Sequence, residues 1–466
     1  MPSSLPRDAI DQACDLGFLC LDRQRLGEAE DAFRSALRED PTASRAWHGL
    51  GNLWLGRGRP EDAAEAFRRA LNQRPDHALL LSNLALALHR SGRSDEAEAI
   101  LRALIAREPD SYEATINLGV VLRDVVRWPE ARELFERALV WRPGEAKLRF
   151  DLSLLELALG DFAAGWDGYE QRWEANGTPR PGSADVPIWQ GEPLAGKHLL
   201  LFTEQGFGDT LQFIRYVPLL ARQGAKVTLG CPPALSRLMR RIEGIAAVID
   251  DPADEPPADF QLSLMSLPHR LGTRLDTIPA ELPYLRADPE AVAAWSRRLA
   301  ASETDRPKCT RIGLVWAGAP RPDMPMAHEI DKRRSLPLAA LAPLGAVPGV
   351  RFISLQKGPG AAQLAAPPPA LLIEDPMAEV ADFADTAAIV ANLDLVIAAD
   401  TAVAHLAGGL GVPVWVMSRF DGCWRWLTDR DDSPWYPGLR LFRQPRAGDW
   451  QSVVAEVATT LRALSF

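Results

Sequence analysis

The chain has 466 residues, which is too long for one ordinary hydrophobic core, so two or three domains are expected. Its 47% hydrophobic and 24% charged residues are typical of a soluble globular protein, not of a disordered or membrane protein. The net charge of −10 argues against nucleic acid as a partner, because phosphate neutralisation needs clustered Lys and Arg.

The cysteines favour a reducing compartment. Five are present, an odd number, and no two form a CxxC pair, which indicates reduced thiols and not a disulfide framework or a zinc site. The opening stretch MPSSLPRDAIDQACDLGF carries acidic residues where a signal peptide needs an apolar run, and no segment approaches the roughly 18 apolar residues of a membrane span. We therefore expect a cytoplasmic chain without an integral membrane segment.

The first third of the chain repeats itself every 34 residues. Prolines mark the period at Pro41, Pro75, Pro109 and Pro143. Small and aromatic residues keep the same register at Ala29, Ala63, Ala97 and Ala131, and at Phe33, Phe67, Leu101 and Phe135. This period, with Trp47, Leu50, Gly51 and Trp54 in the second unit, matches the tetratricopeptide pattern of paired helices. A fifth, incomplete unit from Ala146 to Trp173 is expected to cap the array.

Such an array predicts a concave groove lined by the first helix of each pair. Polar side chains occupy equivalent or nearby groove positions at Asn52, Asn83, Asn117 and Asp151. Side-chain amides pair with both donors and acceptors of an extended peptide, so these residues are candidates for gripping a protein acceptor. The alternative is that they are solvated helix positions.

The sequence changes character after the polar segment NGTPRPGSADVP, which is typical of a linker. Short apolar runs such as HLLLFT, AKVTLGC, RIGLVWAG and LDLVIAAD then alternate with helical segments, and this alternation predicts two doubly wound parallel sheets with a cleft between them. The predicted divisions are residues 1–145 (repeats), 146–175 (cap), 176–190 (linker), 191–305 (first α/β lobe) and 306–466 (second α/β lobe).

The first predicted strand ends in a glycine turn, TEQGFGDT. Gly206 and Gly208 permit a tight turn and close approach of a ligand to the backbone. Asp209 follows and is a candidate general base toward an acceptor hydroxyl, since a carboxylate above a cleft can take that proton. The alternative is that Asp209 caps the helix that begins there.

A second strand, LDLVIAAD, runs directly into a helix. Asp400 and Thr401 stand at the helix start, where free N–H groups and the helix dipole favour an anion. His405 lies one turn later and is expected to face the same cleft. A single histidine on a helix is also often structural.

Basic residues leave two further strand ends of the second lobe. Lys332, Arg333, Arg334 and Ser335 stand in the predicted polar loop after GLVWAG, and Gln356 and Lys357 follow VRFISL. Basic groups that converge on a helix start suit a nucleotide pyrophosphate, although each alone is commonly a solvated surface charge. The tail aromatics Trp424, Trp426, Trp435 and Tyr436 either stack on a base or sugar or pack the last strand.

With these motifs identified, the second half resembles glycosyltransferases of the GT-B fold. The whole chain is similar to bacterial tetratricopeptide-repeat glycosyltransferases, whose catalytic half is similar to heptosyltransferases. The segments that carry the resemblance are EQGFGDTLQFIRY, GLVWAG with RSLPL, SLQKG, DFADTAAIVANLDLVIAADTAVAHLAG and DSPWYP. Related heptosyltransferases tend to place an acidic residue where this chain has Gln356, which leaves the identity of the sugar open.

The resemblance implies that Asp209 is the base and that Asp400, Thr401 and His405 hold a nucleotide-sugar donor, with Arg334 first and Lys332 second as the basic loop residue. It implies no cofactor and no metal. The preferred acceptor is a protein such as a flagellin, because repeat arrays bind polypeptides. Two alternatives stay open: a cell-surface polysaccharide or lipopolysaccharide transferase, and a non-catalytic repeat scaffold with a decayed transferase domain.

Overall fold

A computed structural model describes residues 7–301, 309–322 and 324–464. The predicted boundary between the two α/β lobes, near residue 305, lies outside these residues. The chain divides into two compact units, Met1–Leu155 and Glu156–Phe466.

The first unit consists of helical hairpins that follow the predicted period. Its paired helices are α1 (Arg7–Asp22) with α2 (Leu26–Glu39), α3 (Ser44–Gly56) with α4 (Pro60–Leu71), α5 (Ala78–Arg90) with α6 (Ser94–Arg107), and α7 (Tyr112–Asp124) with α8 (Trp128–Trp141). The repeating prolines lie in the connections between the hairpins. The predicted helical solenoid is thus confirmed.

Each hairpin closes around a large apolar side chain set against a small residue. Phe67 of α4 is fully buried, and a Cβ placed on Gly51 of α3 would lie 2.4 Å from its ring. Gly119 and Phe135 repeat this contact in the fourth hairpin, at 2.3 Å. A side chain at either glycine position would overlap the phenylalanine ring of the partner helix. Glycine is therefore required for the two helices to pack this closely.

The fifth helix pair consists of α9 (Ala146–Ala158) and α10 (Phe162–Tyr169). The short helix α11 (Arg172–Asn176) follows it. Aromatic residues of α10 pack into the second unit. Trp166 meets Trp424 edge to face at 5.3 Å between ring centroids, and Phe162 stacks on Trp435 at 6.0 Å. Helix α10 is therefore part of the core of the α/β region.

The α/β region contains two sheets, both parallel throughout their described strands. The first sheet comprises β1 (His198–Phe202), β2 (Lys226–Gly230), β3 (Ile245–Ile249) and β4 (Phe260–Ser263), with helices α12 (Phe207–Phe213), α13 (Val217–Arg222), α14 (Pro233–Met239), α15 (Leu267–Arg270) and α16 (Pro289–Ala301). The second comprises β5 (Thr310–Val315), β6 (Val350–Ser354), β7 (Ile373–Glu374), β8 (Leu395–Ala399), β9 (Val414–Ser418) and β10 (Leu439–Arg443), with α17 (Pro325–Arg334), α18 (Phe383–Val390), α19 (Ala402–Gly409) and α20 (Trp450–Ala463).

The strand orders fix where each sheet can bind a ligand. The first sheet runs β3-β2-β1-β4 and the second β10-β9-β8-β5-β6-β7. In both sheets the winding reverses beside the first strand, between β1 and β4 and between β5 and β8. Parallel sheets bind ligands at the carboxyl ends of strands at this reversal, so the turns after β1 and β8 both stand at expected binding positions.

The predicted linker, residues 176–190, is ordered along the edge strand β4. The backbone of Trp189 donates to the carbonyl of Gln261 at 3.0 Å, and the side chain of Gln261 accepts a bond from the N–H of Ser183 at 2.9 Å. An edge strand exposes unpaired backbone groups, which this segment satisfies. None of the described helices combines the length and apolar character that crossing a membrane requires.

Candidate active site

The turn after β1 places Asp209 in the first turn of α12. One carboxylate oxygen accepts a 2.7 Å hydrogen bond from the backbone N–H of Gly206, so Asp209 does close the start of its own helix. The other oxygen forms an ion pair with Arg425, from the tail segment after β9. Both side chains are largely buried, at 17% and 10% exposure. The predicted base is therefore engaged on both oxygens.

Arg425 is a residue that the sequence interpretation missed. Burial alone would lower the pKa of its guanidinium, but the Asp209 carboxylate, together with Cys423 and Tyr169, outweighs burial and raises that pKa. Its Nε also donates to Gln212 at 2.6 Å. An arginine 216 residues from its partner carries no local sequence signal for this contact.

The turn after β8 has the opposite character. Thr401 is the N-cap residue of α19 and has extended backbone, yet its side chain makes no capping bond. Its Oγ1 is buried and has no hydrogen-bond partner among the described residues. A buried hydroxyl without a partner is costly, and it stands at a helix start that favours anions.

His405 lies one turn into α19, four residues after Thr401. Its Nδ1 is 2.9 Å from the hydroxyl of Tyr436, and its ring stacks on Trp426 at 5.4 Å between centroids. Burial, followed by the charges of three arginines, lowers the pKa of His405 well below its usual range. The arginines are Arg425, Arg215 and Arg334. The imidazole is therefore neutral at physiological pH.

Helices α12 and α19, which begin at these two turns, contact each other directly. A Cβ added to Gly208 would lie 2.9 Å from Cδ2 of His405 and 3.5 Å from Cα of Ala402. Glycine at position 208 is therefore what allows the approach. The predicted cleft between the lobes is closed at this point.

The segment after β5 differs from its prediction. The sequence interpretation treated it as a polar loop, but residues Pro325–Arg334 form α17. The loop prediction was wrong because it overlooked a proline in the first turn and three basic residues in the last, a combination that stabilises both helix ends.

Helix α17 brings Arg334 to the turn after β8. Its Nη1 donates to the backbone carbonyl of Asp400 at 3.2 Å, and the buried Asp331 holds Nε and Nη2 at 3.0 and 2.9 Å. Ser335 accepts a bond from the N–H of Gly318 and so ties α17 to the end of β5. Lys332 points elsewhere, to an exposed pair with Glu329. Of the two basic candidates, only Arg334 reaches the turn.

Gln356 and Lys357 occupy supporting positions. Gln356 is 2% exposed, and its amide accepts from the N–H groups of Trp316 and Ala317 and donates to the carbonyls of Ala317 and Lys357. Lys357 donates to the carbonyl of Val380. Gln356 thus links the carboxyl ends of β5 and β6, and Lys357 ties the end of β6 to the segment before α18. A direct contact of either with a ligand stays a prediction.

Arg321 is a second residue that the motifs did not reveal. It lies on the exposed loop after β5. Its Nη2 is close to Gly206: a Cβ added to that glycine would lie 3.2 Å from Nη2. In the described part of the chain it forms no ion pair. A guanidinium of the second lobe therefore overhangs the glycine turn of the first.

The groove positions in the first unit lie on successive first helices: Asn52 on α3, Asn83 on α5, Asn117 on α7 and Asp151 on α9. The amide of Asn83 donates to Oδ1 of Asn52 at 3.3 Å, and that of Asn117 donates to Ser82 on α5 at 2.8 Å. These asparagines link neighbouring helices, a contact that neither sequence alternative considered. Asp151 pairs with Lys147 within α9 at 2.6 Å.

Comparison with known families identifies the repeats. Residues 21–146 match the family model described as the cytochrome c-type biogenesis protein H TPR domain. The chain is also 27% identical over 348 residues to Protein FlbA of Caulobacter vibrioides, with 68% of this chain and 55% of that protein covered. The chain thus spans about half the length of the curated relative it matches.

Two solved structures have a modest overall likeness to this chain. PilW, a widely conserved type IV pilus biogenesis factor, is 20% identical with a TM-score of 0.34, covering 38% of this chain and 81% of that chain. Pseudomonas aeruginosa pilF is 23% identical with a TM-score of 0.33, covering 38% and 78%. The family match establishes a tetratricopeptide repeat domain, which is followed along the chain by an α/β region of two parallel sheets.

Proposed function

We propose that this chain is a GT-B glycosyltransferase that moves a sugar from a nucleotide-sugar donor to a hydroxyl of a protein acceptor. The turn after β8 is the observation that carries the proposal. There the strand order reverses, the hydroxyl of Thr401 is buried without a partner in the described residues, and Arg334 reaches the carbonyl of Asp400. A helix start with a guanidinium beside it suits a pyrophosphate.

In this proposal each residue of the turn has one role toward the donor. The start of α19 and Arg334 neutralise the diphosphate as it leaves, which provides the electrostatic stabilisation that a metal ion would otherwise supply. The hydroxyl of Thr401 donates to a phosphate oxygen. The carboxylate of Asp400 accepts hydrogen bonds from sugar hydroxyls.

Asp209 is the proposed general base. It takes the proton of the acceptor hydroxyl as that oxygen attacks the anomeric carbon, and the nucleoside diphosphate leaves with the bonding electron pair. Its contacts with Gly206 and Arg425 must lengthen for this step. We expect Asp209→Asn to abolish transfer and to leave donor binding intact; a loss of donor binding would instead place Asp209 on the donor side.

Nucleotide release tests the enzymatic proposal. The full-length protein is incubated with UDP-, GDP-, ADP-, CMP- and dTDP-linked sugars, with and without candidate acceptor proteins, and free nucleotide is measured. We expect release from one donor class, stimulated by the acceptor, and its loss in Thr401→Val. Neither binding nor release with any donor would overturn the proposal.

The repeats are proposed to recruit the acceptor. Asn52, Asn83 and Asn117 lie on successive first helices, each bonded to a polar side chain of a neighbouring first helix. Replacing all three with alanine removes the amides that would pair with a peptide backbone. We expect transfer to protein to fall while donor hydrolysis is kept. The control replaces the exposed Glu61 and Glu133 on second helices with alanine.

Two outcomes of that experiment would change the proposal. If the triple variant transfers to protein as well as the parent does, the asparagines do not recruit the acceptor. If only oligosaccharide or lipid-linked acceptors are modified, the polysaccharide transferase is the better description. A non-catalytic scaffold is the second candidate, since the ion pair of Asp209 and the direct contact of α12 with α19 are both compatible with a site that no longer reacts.

A further inference from the structure

The tyrosine that contacts His405 has a single hydroxyl proton to donate. Which group accepts that proton determines which ring nitrogen of His405 is protonated. Tyr436 Oη lies 2.9 Å from Nδ1 of His405 and 3.4 Å from Oη of Tyr284. Both tyrosines are buried. The two contacts compete for the hydroxyl proton of Tyr436.

The partner of Tyr284 settles that competition. Tyr284 donates its own proton to the carbonyl of Leu211 at 2.8 Å, and it accepts from Arg215 at 3.0 Å. Its oxygen could therefore only accept from Tyr436, at a distance of 3.4 Å, which is beyond the normal range for O–H···O bonds. The 2.9 Å contact with His405 is within the normal range, so Tyr436 donates to Nδ1.

A neutral imidazole that accepts at Nδ1 carries its proton on Nε2. Burial of the ring is the largest cause of its lowered pKa, and three charges add to it: Arg425 from the tail, Arg215 from the segment after α12, and Arg334 from α17. The edge with Nε2 faces the contact with Gly208 and makes no hydrogen bond within the described residues. An unused N–H thus lies in the first turns of the helix that begins after the unpartnered hydroxyl of Thr401.

We propose that Tyr436 is a positioning residue that holds His405 as the tautomer with its proton on Nε2, so that His405 donates a hydrogen bond to a phosphate oxygen of the donor. The phosphate contact rests on the proposed function; the tautomer does not. His405 is accordingly a hydrogen-bond donor and not a proton acceptor, which leaves proton removal to Asp209.

The tautomer is measured directly by nitrogen NMR of the full-length protein labelled in its 7 histidines. The resonance of His405 is identified by its absence in His405→Gln. We expect an unprotonated Nδ1 and a protonated Nε2 that do not change between pH 8 and pH 6. In Tyr436→Phe, which keeps the ring and loses the hydroxyl, we expect the Nδ1 signal to move toward a mixture of tautomers.

Tyr284→Phe is the matched control, since it removes a neighbouring buried hydroxyl without touching His405; its Nδ1 signal should match the parent. A protonated Nδ1 in the parent, or no change in Tyr436→Phe, would overturn the proposal. If Tyr436→Phe fails to fold, the tautomer in the parent protein alone decides.

Adding a nucleoside diphosphate separates this inference from the proposed function. We expect the Nε2 signal to shift on binding and Tyr436→Phe to bind about tenfold more weakly, the loss typical of one hydrogen bond to a charged group. A bound nucleotide that leaves Nε2 unmoved would remove the phosphate contact. If no nucleotide binds, the proposed function fails while the tautomer assignment stands on the spectrum.

Discussion

The turns after β1 and β8 occupy matching positions in their sheets and differ in how their polar groups are satisfied. After β1, Asp209 closes the helix start and pairs with Arg425, so its oxygens have internal partners. After β8, the hydroxyl of Thr401 is buried and unpaired in the described structure. Two turns at the same topological position thus differ: one has its polar groups paired within the protein, and the other leaves a buried hydroxyl unpaired.

The difference identifies where binding energy is available. A polar group that is already paired must break a bond before it can bind a ligand, whereas an unpaired buried group gains a bond without losing one. We therefore expect the turn after β8 to be the better ligand site and the turn after β1 to be first of all a structural link between the lobes. The predictions that follow test each side of this contrast.

The largest expected effect is at the turn after β1. Asp209→Ala leaves the buried Arg425 unpaired, and breaking a buried ion pair from one side costs about 3–5 kcal/mol of the free energy of unfolding. Urea denaturation measures this loss. The exposed pair of Arg430 and Asp432 supplies the control, because Asp432→Ala should cost no more than about 1 kcal/mol. Equal losses in the two variants would refute a structural role for Asp209.

A smaller effect is expected from crowding the contact of the two helices. Gly208→Ala places a methyl group 2.9 Å from His405, and overpacking of this kind costs about 1–3 kcal/mol. Thermal and urea unfolding of this variant are compared with Gly438→Ala, where the nearest heavy atom would be 3.8 Å away. If both variants unfold alike, α12 and α19 do not pack as described.

At the turn after β8 we expect an effect on binding without a loss of stability. Thr401→Val keeps the shape and removes a hydroxyl that has no described partner, so folding is unchanged or slightly improved, while nucleoside diphosphate affinity falls about tenfold. Calorimetry measures both quantities. Thr386→Val is the matched control, since its hydroxyl bonds to Asp382 and should affect stability alone. A Thr401→Val protein that is destabilised and binds normally would reverse the contrast.

The smallest expected effect is a pH dependence of stability. The pKa of His405 is lowered in the folded protein, so below about pH 6.5 the unfolded chain binds a proton that the folded chain does not. Stability is complete above that pH and falls as the pH drops, by less than about 1.4 kcal/mol per pH unit from this one group. Urea midpoints between pH 7.5 and 5.5 should fall less steeply in His405→Gln.

Carboxylates change the stability in a lower pH range than His405 does, so the two effects can be measured separately. Asp124 in the repeat unit has its pKa lowered to about 2, because its hydrogen bond with His89 and the charge of Arg123 outweigh burial. Its contribution is complete above about pH 4 and is lost as the pH falls toward 2. An unchanged slope between pH 7.5 and 5.5 in His405→Gln would show that His405 is charged or exposed.

The repeat register was predictable because it is local. Ala63, Phe67 and Ala70 are spaced by the helix itself, and their identity depends on the adjacent helix of the same hairpin. The strands were predictable for the same reason: a run such as LDLVIAAD is apolar because both faces of β8 are covered. The positions of Asp400, Thr401 and His405 at a helix start followed from the strand that precedes them.

The partners of these residues were not predictable. Arg425 lies 216 residues from Asp209, and no spacing rule connects them. Tyr436 was visible as an aromatic in the tail, but its role depends on a hydroxyl contact made only in the fold. Helix α17 was missed because its polar composition resembles that of a loop. Sequence patterns thus selected the candidate residues, and the fold supplied their interactions.

The contacts of Phe162 and Trp166 with the tail of the α/β region have a consequence for the evolution of the chain. Each upstream repeat contacts only its neighbours, whereas α10 is bound to residues that also surround Arg425. Whole 34-residue units can therefore be duplicated or deleted ahead of residue 146 without removing a contact of α10 with the α/β region. Selection can adjust the number of repeats in such steps while these contacts stay the same.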